Sequence, residues 1–203
     1  MEGHWDEARS LIGEAITTYK DLGLKMQMVH TAEQESAWVD LLGGDPAAAE
    51  RELRLAYEIF EGAGLENSAA SAAGYLGLAL CDLGRYEEAG RFAGISEHMT
   101  VANDVNTQAL WRCVRARALA SQGAVEFAEP LAREAARLVG KTDALDNRGD
   151  RLMDLADVLY MIGHQDEAAT TVAEARRLYE KKGNVVSGAK AAALLADLTT
   201  RTL

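Results

Sequence analysis

Four histidines, His4, His30, His98 and His164, are the side chains best suited to proton transfer or metal ligation near neutral pH. They fall in four different stretches, and no Glu-x-x-His or His-x-x-x-His spacing joins them, so surface or loop histidines and no metal site are expected. Cys81 and Cys113 form no close pair and have no histidine near them in sequence, which argues against both a zinc site and a disulfide framework and for reduced, intracellular thiols. Serine, aspartate and glutamate abound, yet no nucleophile lies in a recognisable elbow or beside a plausible base. A phosphate-cradling Gly-x-x-x-x-Gly-Lys-(Ser/Thr) run is absent, so neither ATP nor any other cofactor is expected. These residues imply a chain without a catalytic centre of its own.

The composition narrows the class further. With 203 residues, 48% hydrophobic and 26% charged, the chain can bury a sizeable core. Abundant Ala, Leu, Glu and Arg and only two prolines, Pro46 and Pro130, both expected near helix starts, point to helix almost throughout. The net charge of −11 is the opposite of a nucleic-acid footprint, which rests on clustered Lys and Arg. Residues 1–100 carry 18 acidic and 7 basic side chains, whereas residues 101–203 carry 14 of each. The first half is therefore the acidic half, a solvated face with a secondary capacity to steer a basic partner. No leader-like segment and no run of about 18 apolar residues occurs, so no membrane partner and a cytoplasmic location are expected.

What must position any functional surface is a repeat. The pattern Gly-x-x-(Asp/Glu)-x-Ala occurs at Gly3, Gly84, Gly123 and Gly163, and without the acid at Gly44, with successive glycines 41, 40, 39 and 40 residues apart. The glycine suits the left-handed end of one helix, the acid the positive dipole end of the next, and the alanine (Ala8, Ala49, Ala89, Ala128, Ala168) a close helix crossing. The same register places small residues seven before the glycines (Ala37, Gly77, Ala116, Ala156) and twelve after them (Ala15, Ala56, Ser96, Ala135, Ala175). Nine after come Ile12, Leu53, Ala93, Ala132 and Val172, suited to the core.

This register predicts a lone second helix over 5–21, pairs over 26–62, 66–99, 104–139 and 146–182, and a lone first helix over 186–200. Within the first pair the helices are expected at 26–43 and 46–62. Leu22-Gly23, Gly62-Ala-Gly64, Val139-Gly140 and Lys181-Lys-Gly183 read as stops of the second helices. Repeat arrays bury apolar surface only between neighbours. The two lone helices, the last of them apolar at Ala189, Ala192, Ala193, Leu194, Leu195, Ala196 and Leu198, therefore imply a piece of something longer, or end-to-end pairing into a homodimer.

Leu76-Gly77 in a first helix and Tyr86-Glu-Glu-Ala89 in a second resemble the tetratricopeptide repeat, in an extended form with a period near 40 residues. Gly44-Asp-Pro-Ala-Ala-Ala-Glu-Arg-Glu-Leu-Arg54, Asp104-Val-Asn-Thr-Gln-Ala-Leu-Trp-Arg112 and Tyr179-Glu-Lys-Lys-Gly-Asn-Val-Val186 are similar to the C-terminal helical-repeat region of bacterial class III adenylate/guanylate cyclase–AAA ATPase multidomain signalling proteins. The resemblance covers about residues 40–200. It implies an all-α fold, a right-handed α-solenoid of about ten helices in one domain, acting as a sensory or interaction arm with none of the parent's cyclase or ATPase chemistry.

In tetratricopeptide units the first helices line a concave groove, which by this resemblance would include Gln34, Trp38, Leu78, Asp82, Arg117, Met153, Asp157 and Tyr160, with Cys81 and Cys113 beside them. Trp38, Met153 and Tyr160 have the character of interface anchors. Trp111, nearer a helix start, is expected to be structural. The Lys and Asn that clamp chaperone tails in some tetratricopeptide domains are absent from these positions. The function implied is non-catalytic binding of a protein segment or of a neighbouring domain of the same polypeptide. Small-molecule sensing and structural self-association are the alternatives.

Overall fold

The computed structural model describes residues 3–200, which are helical throughout apart from short turns. The elements are α1 (Trp5–Asp21), α2 (Lys25–Thr31), a π-helical turn (Ala32–Ser36), α3 (Ala37–Gly43), α4 (Pro46–Gly62), α5 (Glu66–Asp82), α6 (Tyr86–Met99), α7 (Val105–Ser121), α8 (Val125–Val139), α9 (Leu145–Met161), α10 (Gln165–Lys182) and α11 (Val185–Thr200). None of these helices is long and apolar enough to cross a membrane.

Gly84 shows how the motif ends a helix. Its φ of 72° puts it in the left-handed region, where a Cβ would be strained. There its N–H bonds the Cys81 carbonyl at 3.0 Å and the next N–H, that of Arg85, reaches back to the Leu80 carbonyl at 2.8 Å. This closes the last turn of α5 in a Schellman arrangement and leaves Arg85 to start α6. The same pair of bonds recurs at Gly44, Gly123 and Gly163. The side-chain caps are aspartate or asparagine: Asp45 accepts from the Ala48 N–H at 2.9 Å, Asp104 from the Thr107 N–H at 3.0 Å and Asn184 from the Ser187 N–H at 3.1 Å.

Three local features depart from the sequence reading. The helix expected over 26–43 is interrupted by the π-turn at Ala32–Ser36. The cause lies in the spacing: 41 residues separate Gly3 from Gly44, one or two more than in the other repeats, and a π-turn absorbs one extra residue inside a helix. Ala37, seven before the glycine, thereby keeps its crossing position and is 1% exposed. Pro130 stands inside α8 and not near its start. It lies on the solvent side, where water replaces the lost backbone bond. Gly140 follows α8 with φ −57° and ψ −20°, so that stop does not use a left-handed glycine.

Contacts gather into two compact units, one from His4 to Val101 and one from Ala102 onward. In the first, Phe60, Tyr57 and Val29 pack with Ala56, Ala69, Ala72 and Ala73. In the second, Leu155, Val158, Leu159, Val172 and Tyr179 surround Ala128, Ala168 and Ala175, and Cys113 joins Ala109, Ala135 and Val139. The motif alanines Ala49, Ala89, Ala128 and Ala168 are wholly buried, as are Leu53, Ala93, Ala132 and Val172 four residues later. Ser96 replaces the expected alanine in α6, and its hydroxyl donates to the Ala70 carbonyl at 2.9 Å, so the crossing stays close without an unpaired polar atom. Helix α1 buries none of its residues, so its small and apolar positions, Ala8, Ile12 and Ala15, remain half-exposed.

Candidate functional site

In the second unit, α7 and α9 bring charged side chains together beside the apolar cluster that holds Ala116, Leu155 and Ala156. Asp150, Asp154 and Asp157 recur at helical spacing along α9, and Cys113 and Arg117 lie one turn apart on α7. Arg151 and Asp154 are almost fully enclosed, and their Nε and Oδ2 stand 3.1 Å apart. The Cys113 thiol, fully buried beside Asp154, is pushed well above its ordinary pKa by burial and then by the aspartate's charge, so it stays protonated and unreactive. Arg117, 8% exposed, pairs with the more exposed Asp157 at 3.6 Å. At the other end Tyr179 of α10 donates its hydroxyl to Asp150 at 2.7 Å, and burial lifts the Asp150 pKa to about 6. Asn184 donates to Asp146 at 3.0 Å, tying the start of α11 to α9.

Beyond Asp157 this polar seam opens into a small solvent-open cleft between α9 and α11, lined by Ala156, Asp157, Tyr160, Leu194, Asp197 and Leu198. Its floor is apolar and two carboxylates and a phenol stand among its walls. Such a site takes an aliphatic stem that ends in a positive charge.

Of the residues expected to line a groove, Asp157 and Tyr160 are brought together in this cleft, and Arg117 joins them through Asp157. Met153 packs against the hydrophobic core of the unit. The other four lie in the first unit. Trp38 is half-buried with its ring edge-on to Tyr75 at 6.1 Å, Gln34 is exposed in the π-turn, and Asp82 is exposed at the end of α5. Leu78 is only 8% exposed and so belongs to the interior. Trp111 is structural, at 5% exposure, with the Arg112 guanidinium over its ring at 4.0 Å.

The fold is one already seen. The crystal structure of BtubC (BKLC) from P. vanneervenii is similar over 98% of this chain and 92% of its own, with a TM-score of 0.56 at 14% sequence identity. At that identity the likeness is one of fold alone. No family model and no curated protein matches the sequence.

Sequence spacing did not point to Arg151, Asp154 or Asp197, and it marked Leu194 and Leu198 only as part of an apolar last helix, because packing and not spacing brings each to its neighbours. It also missed Glu33. That side chain sits in the π-turn at 4% exposure, with His30 Nδ1 3.9 Å away and the His30 ring tilted over Phe60 at 4.6 Å. Burial lifts its pKa from 4.5 to about 7, against the opposing effect of a hydrogen bond with Gln34. A carboxyl raised in this way favours folding while protonated. Its contribution is complete below about pH 4.5 and is lost as pH rises through about 7. The Glu33→Gln variant is therefore expected to match the parent at pH 4 and to exceed it by about 1–3 kcal/mol at pH 8. Urea midpoints at the two pH values test this, and a difference that does not grow with pH refutes it.

Proposed function

We propose that this chain is a binding arm: a right-handed α-solenoid of tetratricopeptide-like units that takes up a protein segment carrying a basic residue, and belongs to a larger signalling protein whose activity the contact regulates. The cleft between α9 and α11 carries this reading. Its apolar floor at Leu194 and Leu198 and its carboxylates at Asp157 and Asp197 fit a lysine or arginine set among apolar neighbours.

A fluorescence-anisotropy screen of short labelled peptides tests the reading. Apolar peptides with one central lysine or arginine are expected to bind, and their norleucine and glutamate counterparts to bind at least about tenfold more weakly, a difference of about 1.4 kcal/mol. The joint substitution of Asp157→Asn and Asp197→Asn should erase that preference. Binding that ignores the central charge, or that survives the double substitution unchanged, would overturn the assignment of the cleft.

A further inference from the structure

Two boxes of charge link successive second helices, one in each unit. In the first unit, Arg54 of α4 bonds Glu50 at 2.6 Å and Glu88 of α6 at 2.8 Å. Arg85, in the turn before α6, completes the box with Nη1 at 3.3 Å from Glu50 and Nε at 3.0 Å from Glu88. In the second unit, Arg133 of α8 holds Glu129 at 2.7 Å and Glu167 of α10 at 2.8 Å. The four corners of the two boxes, 50, 54, 85 and 88 against 129, 133, 164 and 167, are each 79 residues apart. Their chemistry differs at one corner: where the first box has Arg85, the second has His164.

That exchange leaves the second box short of one cation. Two glutamates and two arginines balance in the first. The second, with two glutamates and Arg133, has one permanent positive charge fewer. Arg133 occupies Glu129 Oε1, and the other carboxylate oxygen, Oε2, faces His164 Nδ1 across 3.6 Å. That separation is too long for a hydrogen bond. One ligand atom from each of Glu129, His164 and Glu167 lies within 4.8 Å of the others. Ligands of a tetrahedral zinc, at bond lengths of about 2.0–2.1 Å, stand about 3.4 Å apart, and the exposed Glu167 closes that difference by turning one carboxylate oxygen from Arg133 to the ion.

We propose that Glu129, His164 and Glu167 form a binding site for a divalent transition-metal cation of the zinc type, which takes the place that the Arg85 guanidinium takes in the first unit. One imidazole and two carboxylates suit such an ion, whereas magnesium and calcium prefer all-oxygen shells. Three protein ligands leave a fourth position for water. The positive end of α10 opposes the cation, and Asp166 and Glu167 in its first turn offset that field. The donors come from two elements, Glu129 from α8 and, 35 residues on, His164 and Glu167 from the cap and first turn of α10, and only the fold brings α8 to the other two.

The test titrates Zn²⁺ against the chelator-stripped full chain by isothermal calorimetry, with Mg²⁺ and Ca²⁺ as comparison ions. One saturable zinc per chain is expected, with no comparable uptake of the other two. His164→Arg, which rebuilds the two-arginine box, should weaken zinc binding by more than about tenfold while the melting curve by circular dichroism is retained. Arg85→His should create a second site and raise the stoichiometry to two. Absence of saturable uptake, equal uptake of Ca²⁺, or undiminished zinc binding by the folded His164→Arg variant would each overturn the proposal.

Discussion

Replacing Arg151 by methionine is expected to lower the unfolding free energy by about 3–5 kcal/mol, the cost of stranding one member of a buried ion pair. Arg151 and Asp154 lie 3.1 Å apart with 5% and 9% of their side chains exposed. Methionine fills the space of the arginine stem, so the lost term is charge and not volume. Asp154 would then have to keep a charge in an enclosed site or take up a proton. The second route caps the loss and makes it smaller in acid than at neutral pH. For a domain of this size the melting temperature should fall by roughly 10 °C. The double variant with Asp154→Leu should recover at least half of the loss, because two apolar side chains of similar volume leave no orphan charge. Calorimetric melting of the two single variants and the double one completes the cycle. A loss below about 1 kcal/mol for Arg151→Met would show that the pair contributes little and that solvent reaches it.

The second large effect concerns two glycines that touch the same tyrosine. A Cβ added at Gly149 would stand 2.5 Å from Tyr179 Cε1 and 2.7 Å from its Cζ, inside any tolerable contact. The ring cannot retreat, being 2% exposed and held by its hydroxyl bond to Asp150. Gly149→Ala is therefore expected to destabilise by about 1–3 kcal/mol net, overpacking outweighing the gain of up to about 1 kcal/mol that alanine brings to a helix interior. At Gly188 the nearest atom to an added Cβ is Tyr179 Cβ at 3.9 Å, an ordinary contact. Gly188→Ala should accordingly stabilise by about 0.5–1 kcal/mol. Urea midpoints of the two variants should move in opposite directions. A shared sign would mean that the ring in α10 is not the fixed wall described above.

The helices were legible because their ends obey local rules. The left-handed position at Gly84 can be filled by few residues other than glycine, and the buried Ala89 five places on cannot be large, so one short pattern marks a turn and a crossing together. The π-turn was legible in principle, as the one spacing of 41 among values of 39 and 40. Pro130 was misplaced because a proline on the wet side of α8 costs less than one in its packed face. The polar seam was legible only in part. Arg117 and Asp157 fell on the expected groove face, but they are 40 residues apart and nothing in either local context pairs them or marks Arg151 and Asp154 as enclosed. Leu78 shows the same limit in reverse, since its helical face matched the groove positions while packing enclosed it.

The boxes at Arg54 and Arg133 bear on elasticity. They join α4 to α6 and α8 to α10 on half-exposed surface, while the alanine crossings beneath are dry. Salt divides the two. At about 1 M the screening length shrinks to about 3 Å, and the outer ties slacken while the inner contacts hold. Each unit is then a spring whose stiffness against prying these helices apart falls with ionic strength even as its melting temperature barely moves.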